Sequence, residues 1–435
     1  MRSSPTGRTV SARAKVAIGL CLILLASPYA SVSISQMKSP EDLSGIRISE
    51  SSSRTNNLID VPSWKVNDAW SYTGTLDVRD FVTSSGVSTN VEYLLGTLTE
   101  QVSDIYTMNV DGTDTLVYRV DGDGYYEAQN INLDGNNGDL IVEMSTEEIV
   151  RVSDLAVIEQ NADFDIDFDY QIWWWSYTVH VADLTVDQTY SPPLEGYDFP
   201  ISVGDEWQTD YSYTIDYSGS SDYVTIPSDS SGQNSTSWDV VSQGFPGVTY
   251  GGCSQSYNIT NYDDNGDEIG YKWFCPAIRG DVRSSYTNTV GFVAEHELTT
   301  YQPAGRPKKI SVDLEFPLSP LDYQMSAWVN VTNSGQPSSG ETLQVRYESG
   351  GVVQDVTTAA NGSAFLTFDT GHSSDDSDGV GELGSHGLIA WISGQRLVGV
   401  STVIIDPDVH EVCLLYTSDA ADDTPCVDLG GRRII

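Results

Sequence analysis

From position 163 to 172 the chain alternates without a break: Asp-Phe-Asp-Ile-Asp-Phe-Asp-Tyr-Gln-Ile. On a helix this order would scatter rings and carboxylates over every face. On a strand it sorts them, with Phe164, Ile166, Phe168, Tyr170 and Ile172 on one side and Asp163, Asp165, Asp167 and Asp169 on the other. A strand with one apolar and one acidic face belongs to an antiparallel sheet that covers a core and meets water.

The same theme runs through residues 61–303. Strand-like runs at 70–78, 88–98, 105–110 and 115–120 are divided by Asp111-Gly112, Asp121-Gly122, Asp123-Gly124 and Asp134-Gly135, the spacing of a meander. Residues 145–160 leave two readings open. Ser145 and Glu148 have capping-box spacing, yet the run is rich in β-branched residues. An internal echo then divides the region. Val66-Asn67-Asp68-Ala69-Trp70 is matched by Val203-Gly204-Asp205-Glu206-Trp207, and an aromatic strand follows each. The expectation is one β-rich unit built twice, over 61–195 and 196–303. The shared Asp would fix a turn, and Trp70 and Trp207 would be buried in separate but similar sheets.

Charge excludes some functions. The formal net charge is −41, and no Lys or Arg occurs from Val152 to Tyr271. Such a chain cannot neutralise phosphates, so nucleic acid is excluded as a partner. The ends are of another kind. Arg2, Arg8, Arg13 and Lys15 flank an apolar run over 16–26, and Ser31-Val32-Ser33 offers a cleavage site, so residues 1–33 are expected to be a signal peptide. Cys21 lies inside the apolar run. A Ser-rich flexible linker follows over 34–60. Residues 413–435 resemble translated sequencing-adapter DNA, and Cys413 and Cys426 therefore carry no argument. Cys253 and Cys275 remain, and one pair in an exported chain reads as a disulfide, with two buried thiols as the alternative. A two-residue Asn265-Gly266 turn between them would set Cys253 opposite Ile278; facing the cysteines requires a three-residue loop centred on Asp264, or a bulge.

Two resemblances add to this. Gly204-Asp205-Glu206-Trp207, Gly251-Gly252-Cys253, Trp273-Phe274-Cys275-Pro276 and the closing Glu297-Leu298-Thr299-Thr300-Tyr301 resemble exported half-barrel proteins of the lipoprotein-carrier (LolA/LolB-type) fold. That likeness implies curved antiparallel sheets whose concave face holds a lipid or lipid-modified peptide. After the linker Gln302-Pro303-Ala304-Gly305-Arg306-Pro307, residues 308–412 suggest seven strands, at 310–316, 325–332, 342–347, 352–358, 363–368, 387–392 and 398–405. A Gly335-x-Pro337-x-x-Gly340 turn, followed by Thr357-x-x-x-x-Gly362-x-Ala364, is similar to bacterial immunoglobulin-like surface domains. The expected fold is therefore all-β and mainly antiparallel: two curved half-barrel-like sheets plus a C-terminal immunoglobulin-like β-sandwich.

Site chemistry is sparse. Asp369-Thr370-Gly371 has no second copy to share a proton with, so it reads as a turn ending a strand. His180, His296, His372, His386 and His410 show no metal-ligand spacing. The calcium candidates are Asn132, Asp134, Asn136 and Glu143, at EF-hand positions but with Asn137 where Gly is needed, and the ladder from Asp163 to Asp169. The sequons at Asn234, Asn258, Asn330 and Asn361 are glycosylation candidates. Trp173-Trp174-Trp175 cannot share one face of a pleat, so at least one is expected at a ligand cavity or an interface. No catalytic residue is assigned. The expectation is a non-enzymatic protein, secreted or at the cell surface, that binds an apolar ligand (lipid or lipid-modified peptide) or a surface protein. The alternative is a structural surface-layer or adhesion component, with calcium as its one candidate cofactor.

Overall fold

The computed structural model describes residues 58–406, apart from 78, 80–89, 134–135, 173–174, 222–225, 227, 264, 288–292, 322, 349–352 and 371–382. The expected signal peptide, most of the linker, Cys21, His372, His410 and the tail at 413–435 lie outside these residues. Twelve strands form the larger part: β1 (Ala69–Asp77), β2 (Tyr93–Val110), β3 (Thr113–Leu133), β4 (Asn136–Arg151), β5 (Val157–Ile172), β6 (Trp175–Leu194), β7 (Glu206–Ser220), β8 (Ser230–Gly244), β9 (Ser256–Tyr262), β10 (Glu268–Cys275), β11 (Gly280–Thr287) and β12 (Val293–Gln302). Each pairs with the next, and β12 returns to β1, giving one closed barrel.

Closure corrects the expectation of two half-barrel sheets. The proposed unit boundary falls between β6 and β7, but these strands pair from Asp183↔Ser220 to Ser191↔Ser212. β1 and β12 pair from Ala69↔Gln302 to Asp77↔Val293. Two separate half-barrels would expose four strand edges; joining them end to end leaves none. The repeat is nonetheless real at its two entry turns. Asn67 and Gly204 hold the equivalent left-handed position, with φ of 78° and 92°. Asp68 Oδ2 accepts from Lys65 N at 2.8 Å, and Asp205 Oδ2 from Ser202 N at 2.6 Å. Both turns bond onward to a neighbouring strand in the same way, at Val102 and at Val240. Just before them Ile59 and Ile201 form an antiparallel bridge.

The barrel's strands run past several expected breaks. Residues 145–160 are strand, turn and strand, with no helix. Asp121-Gly122 and Asp123-Gly124 lie inside β3 rather than at turns. A Cβ at Gly122 would stand 2.3 Å from Thr146 Oγ1, and one at Gly124 2.8 Å from Met144 Cε, so larger neighbours already fill the space these glycines leave. The alternation holds as read from 163 to 168, with Phe164, Ile166 and Phe168 buried in the barrel; Tyr170 is half-buried. The outer wall is polar, with Asp163, Asp165, Asp167 and Asp169 on β5 and Asp210, Ser212, Thr214 and Asp216 on β7. This is the reverse of a lipid-embedded barrel, whose outward residues form an apolar band.

The disulfide joins Cys253 and Cys275. The β9–β10 ladder runs as Gly270↔Asn261 to Phe274↔Tyr257, after a bulge between Glu268 and Gly270. That is the register expected to set Cys253 against Ile278. The bridge forms because Cys253 has left the ladder for the turn before β9, while Cys275 ends β10. The expected three-residue loop is replaced by a wider one, in which Asp263 N donates to Asp267 O at 3.0 Å.

The C-terminal strands are β13 (Lys308–Leu314), β14 (Leu318–Ser319), β15 (Gln324–Asn333), β16 (Gln336–Pro337), β17 (Thr342–Tyr347), β18 (Gln354–Thr357), β19 (Ser363–Asp369), β20 (Gly384–Ile392) and β21 (Leu397–Ile405). They form two sheets, β13-β15-β16 with β19 on β15, and β14-β21-β20-β17-β18. Met325, Val329 and Phe368 of one sheet share a core with Val345, Leu388 and Val403 of the other. The expected strands are all present, with two short additions, one of which (β14) pairs in parallel with β21. The two-sheet unit docks on one end of the barrel. Its Ile389, Val398 and Val400 join the barrel cluster that contains Trp70, Phe199 and Phe274. Asp60 Oδ1 accepts from Thr402 N at 2.8 Å across this contact, and Val400 N donates to Ser63 Oγ at 3.1 Å.

Candidate functional site: a polar chamber inside the barrel

Two apolar clusters fill the barrel interior. Along β1 the chain passes from one, with Trp70 and Tyr72, to the other, with Leu76. Residues of both line a chamber of about 280 Å³. Its walls are aromatic where Trp64, Trp70, Tyr72, Tyr126, Tyr197, Trp238 and Tyr286 meet it, and titratable where Glu100, Glu148, Lys272, Asp281 and His296 do.

The wall is shaped for one of these rings. Gly74 and Gly96 lie side by side on β1 and β2, and Gly96 pairs onward with Tyr126 on β3. A Cβ would stand 2.8 Å from the Tyr126 ring at Gly74 and 2.5 Å from it at Gly96. The two glycines thus make a shelf on which Tyr126 lies. Its hydroxyl reaches His296 Nε2 at 2.8 Å, from the strand on the other side of β1. Burial lowers His296 to about 4, so the imidazole is neutral at ordinary pH.

The carboxylates come from three strands. Glu100 follows Leu94, Leu98 and precedes Val102 on the inward phase of β2, and keeps some accessible surface only because it faces the chamber. Burial lifts it to about 8, with the Glu148 and Asp281 charges adding to the rise. Glu148 on β4 accepts from Gln160 Nε2 at 2.8 Å; burial raises it, and Gln160 and Lys272 oppose the rise. Asp281 Oδ2 accepts from the Tyr197 hydroxyl at 2.8 Å, while its Oδ1 has no hydrogen-bond partner. Burial raises Asp281 too, against Lys272 and Tyr197.

Lys272 is the chamber's cation. It is 4% exposed, with Nζ 3.3 Å from the Tyr197 ring centroid and 4.9 Å from that of Trp238. Gly196 makes the room, since a Cβ there would lie 2.7 Å from Nζ. Burial lowers Lys272 to about 8, and Asp281 and Glu148 hold it from falling further. Two aromatic faces and two carboxylates thus stand in for the water a lysine normally keeps.

No family model, curated protein or solved structure matches the chain.

The residues singled out from sequence lie elsewhere. Trp175, at the β5–β6 hairpin, is 62% exposed and does not line the chamber; Trp173 and Trp174 lie outside the described residues. Asn132 and Asn136 sit at the β3–β4 hairpin, where Asn132 pairs with Asn137, while Glu143 is well up β4 opposite Tyr125. A hairpin does not bring these three together, and Asp134 lies outside the described residues. On the acidic ladder, Asp165 and Asp167 stand 3.2 and 3.1 Å from His180 Nδ1, and Asp183 stands 3.2 Å from its Nε2. Slight burial lowers His180, but these carboxylates outweigh it and leave the imidazole raised, so it serves as their counter-charge. Among the sequons, Asn361 is exposed in a turn. Asn234 is half-buried, pairs with the inward Tyr211 and donates to its hydroxyl at 2.9 Å. Asn258 Oδ1 is buried, and Asn330 bonds Asp313 and Ser363. Thr370 is buried and donates to Pro320 O, as a strand-ending turn would.

The chamber residues escaped sequence reading because carboxylates are so common here. The signals were present, though. Leu94, Leu98 and Val102 fix the inward phase that Glu100 shares. Glu148 shares its phase with Val142 and Val150. Lys272 ends the long cation-free run, between Tyr271 and Trp273 in an aromatic strand, where a lysine without a buried task is out of place.

Proposed function

We propose that the chain is an exported, non-enzymatic binding protein whose barrel holds one compact ligand in the chamber. The observation that carries this reading is the convergence, from separate strands of a closed barrel, of aromatic faces and inward-turned charged groups on a 280 Å³ space. Apolar walls with a few convergent polar groups are the usual composition of a small-molecule site. The volume lies just below the roughly 300 Å³ at which such sites begin, which suits a compact molecule rather than a two-chain lipid. The lipid expectation thereby narrows to a small ligand with both apolar and polar parts. The chamber's polar groups are held by fixed partners: Glu148 by Gln160, His296 by Tyr126, Asp281 by Tyr197. Fixed partners suit recognition, since they orient each group before a ligand arrives. Export accords with the expected signal peptide and with the disulfide, which persists in oxidising compartments. The two-sheet unit would serve as a spacer or surface module beside the barrel, in keeping with its likeness to surface domains.

Native mass spectrometry of the purified protein, followed by organic extraction, tests the reading. A small molecule retained at one per chain and released on denaturation is the expected result. Protein of apo mass, combined with a melting temperature that no compound of a broad small-molecule panel moves, would sink it.

A further inference from the structure

Building on that binding reading, we propose that the ligand is a compact organic cation, an ammonium group on a small apolar body, held between the chamber's carboxylates and its aromatic walls.

The chamber is short of positive charge. Glu100, Glu148 and Asp281 line it against Lys272 alone, and His296 is neutral. An anionic ligand would meet the carboxylates of Glu148 and Asp281, opposed by Lys272. A neutral ligand would leave the excess negative charge uncompensated.

The barrel already shows how it treats a cation. Lys272 brings its ammonium group over Tyr197 and Trp238 and next to Asp281 and Glu148. The Glu100 side of the chamber has similar ingredients without an internal cation: a carboxyl group, with the chamber-lining Trp70 opposite it and Tyr72 nearby on the adjoining strand. An ammonium ligand there would complete a second aromatic and carboxylate cage.

Burial and the neighbouring Glu148 and Asp281 charges hold a proton on Glu100. The groups facing it are Glu148 on β4, Asp281 on β11 and Lys272 on β10, with neutral His296 and Tyr126 beyond. When an ammonium ion enters, the carboxyl O–H of Glu100 gives its proton to solvent and the carboxylate pairs with the ligand. One positive charge enters and one proton leaves. Affinity therefore rises by about tenfold per pH unit up to about 8 and levels off above it.

Isothermal titration calorimetry of the full protein decides the matter with named probes: choline and phenethylamine, their uncharged analogues 3,3-dimethylbutan-1-ol and 2-phenylethanol, and glucose. Titrations at pH 7 in two buffers of different ionisation enthalpy count the protons released. The expected result is binding of at least one cation, tenfold or more tighter than its uncharged analogue, with close to one proton released. Glu100→Gln, which copies the protonated acid in shape, should abolish the proton release and weaken the cation at least tenfold. Equal binding of the uncharged analogue or of glucose would overturn the cation inference and leave the binding reading standing. Cation binding without proton release would overturn the assignment to Glu100, and the wild-type measurement shows this whether or not the variant folds. Binding of no probe would overturn the inference as well. A retained molecule of another class in the mass spectrum would then keep the binding reading alone.

Discussion

The barrel's two entry turns are built alike and loaded differently. At both, a left-handed residue precedes an Asp that accepts from the backbone three residues earlier, and a Trp follows. Asp205 also accepts from the Ser202 hydroxyl, at 3.1 Å. Asp68 is fully buried and also receives Ala304 N at 2.8 Å and the Arg279 guanidinium at 3.1 Å. Arg279 in turn donates to Ser63 O and to the Tyr301 hydroxyl. The first turn thus ties the start of the barrel to its closing strand and to the linker beyond, while the second bonds to the neighbouring β8. A duplicated element keeps its geometry while position in the closed ring decides its energetic weight: the seam where the chain's ends meet must be fastened, and the continuous β6–β7 joint need not be.

The largest expected effect tests that difference directly. Asp68→Ala removes a fully buried carboxylate that pairs with the half-buried Arg279, and should cost about 3 kcal/mol in urea unfolding. Asp205→Ala loses one turn-fixing carboxylate and should cost about 1 kcal/mol. Equal losses would break the comparison. Next is a fastening present only in the second half. Replacing Cys253 and Cys275 by Ala should cost about 3 kcal/mol through the freed loop, with barrel closure at β1–β12 intact by hydrogen exchange.

The paired tryptophans sharpen the point. Trp70 is 2% exposed and donates to Ile278 O at 2.9 Å. Trp207 is half-buried, stacks on Trp238 at 6.0 Å, and its Nε1 has no partner. Trp70→Phe should cost about 2 kcal/mol, adding a lost hydrogen bond to lost volume, and Trp207→Phe about half that. The expectation of burial holds for Trp70, while Trp207 is only half-buried; the expectation of separate sheets fails, since both lie in one barrel.

The legible part of the fold was whatever depends on period two and on turn chemistry. The Asp163–Asp169 face, the strands after Trp70 and Trp207, and the C-terminal strands could all be read, because alternation and Gly or Asp turns are local. Closure could not. A half-barrel and half of a barrel have the same strands, and only the non-local pairing of β12 with β1 distinguishes them. The chamber was hidden for a related reason. Glu100 and Lys272 lie far apart in the chain, and although Lys272 stands out in its aromatic strand, nothing local links it to Glu100 until four strands set them around one space. The turn readings at Gly122 and Gly124 failed because a glycine that makes room for Thr146 and Met144 looks, locally, like one that makes a turn.

The smallest effect at neutral pH is the most telling about how the halves divide the chamber. The first half supplies Glu100 and Glu148, the second Lys272 and Asp281. Glu100 is raised from 4.5 to about 8 in the folded protein, so the folded state binds more protons than the unfolded chain between those values. Its contribution to stability is present in full below pH 4.5 and is lost as pH rises toward and through 8. Burial raises Glu195 and Glu348, at the contact between barrel and two-sheet unit, in the same direction. The protein should therefore melt at a higher temperature at pH 5.5 than at pH 8, by roughly 1–3 kcal/mol of stability. Glu100→Gln should change stability little at pH 7 and flatten that slope. Lys272→Met should steepen it, since Glu148 and Asp281 lose the charge that holds them down. Melting curves for the three proteins across this range check the division. If both substitutions moved the slope the same way, the acids of one half and the lysine of the other would not share one electrostatic space.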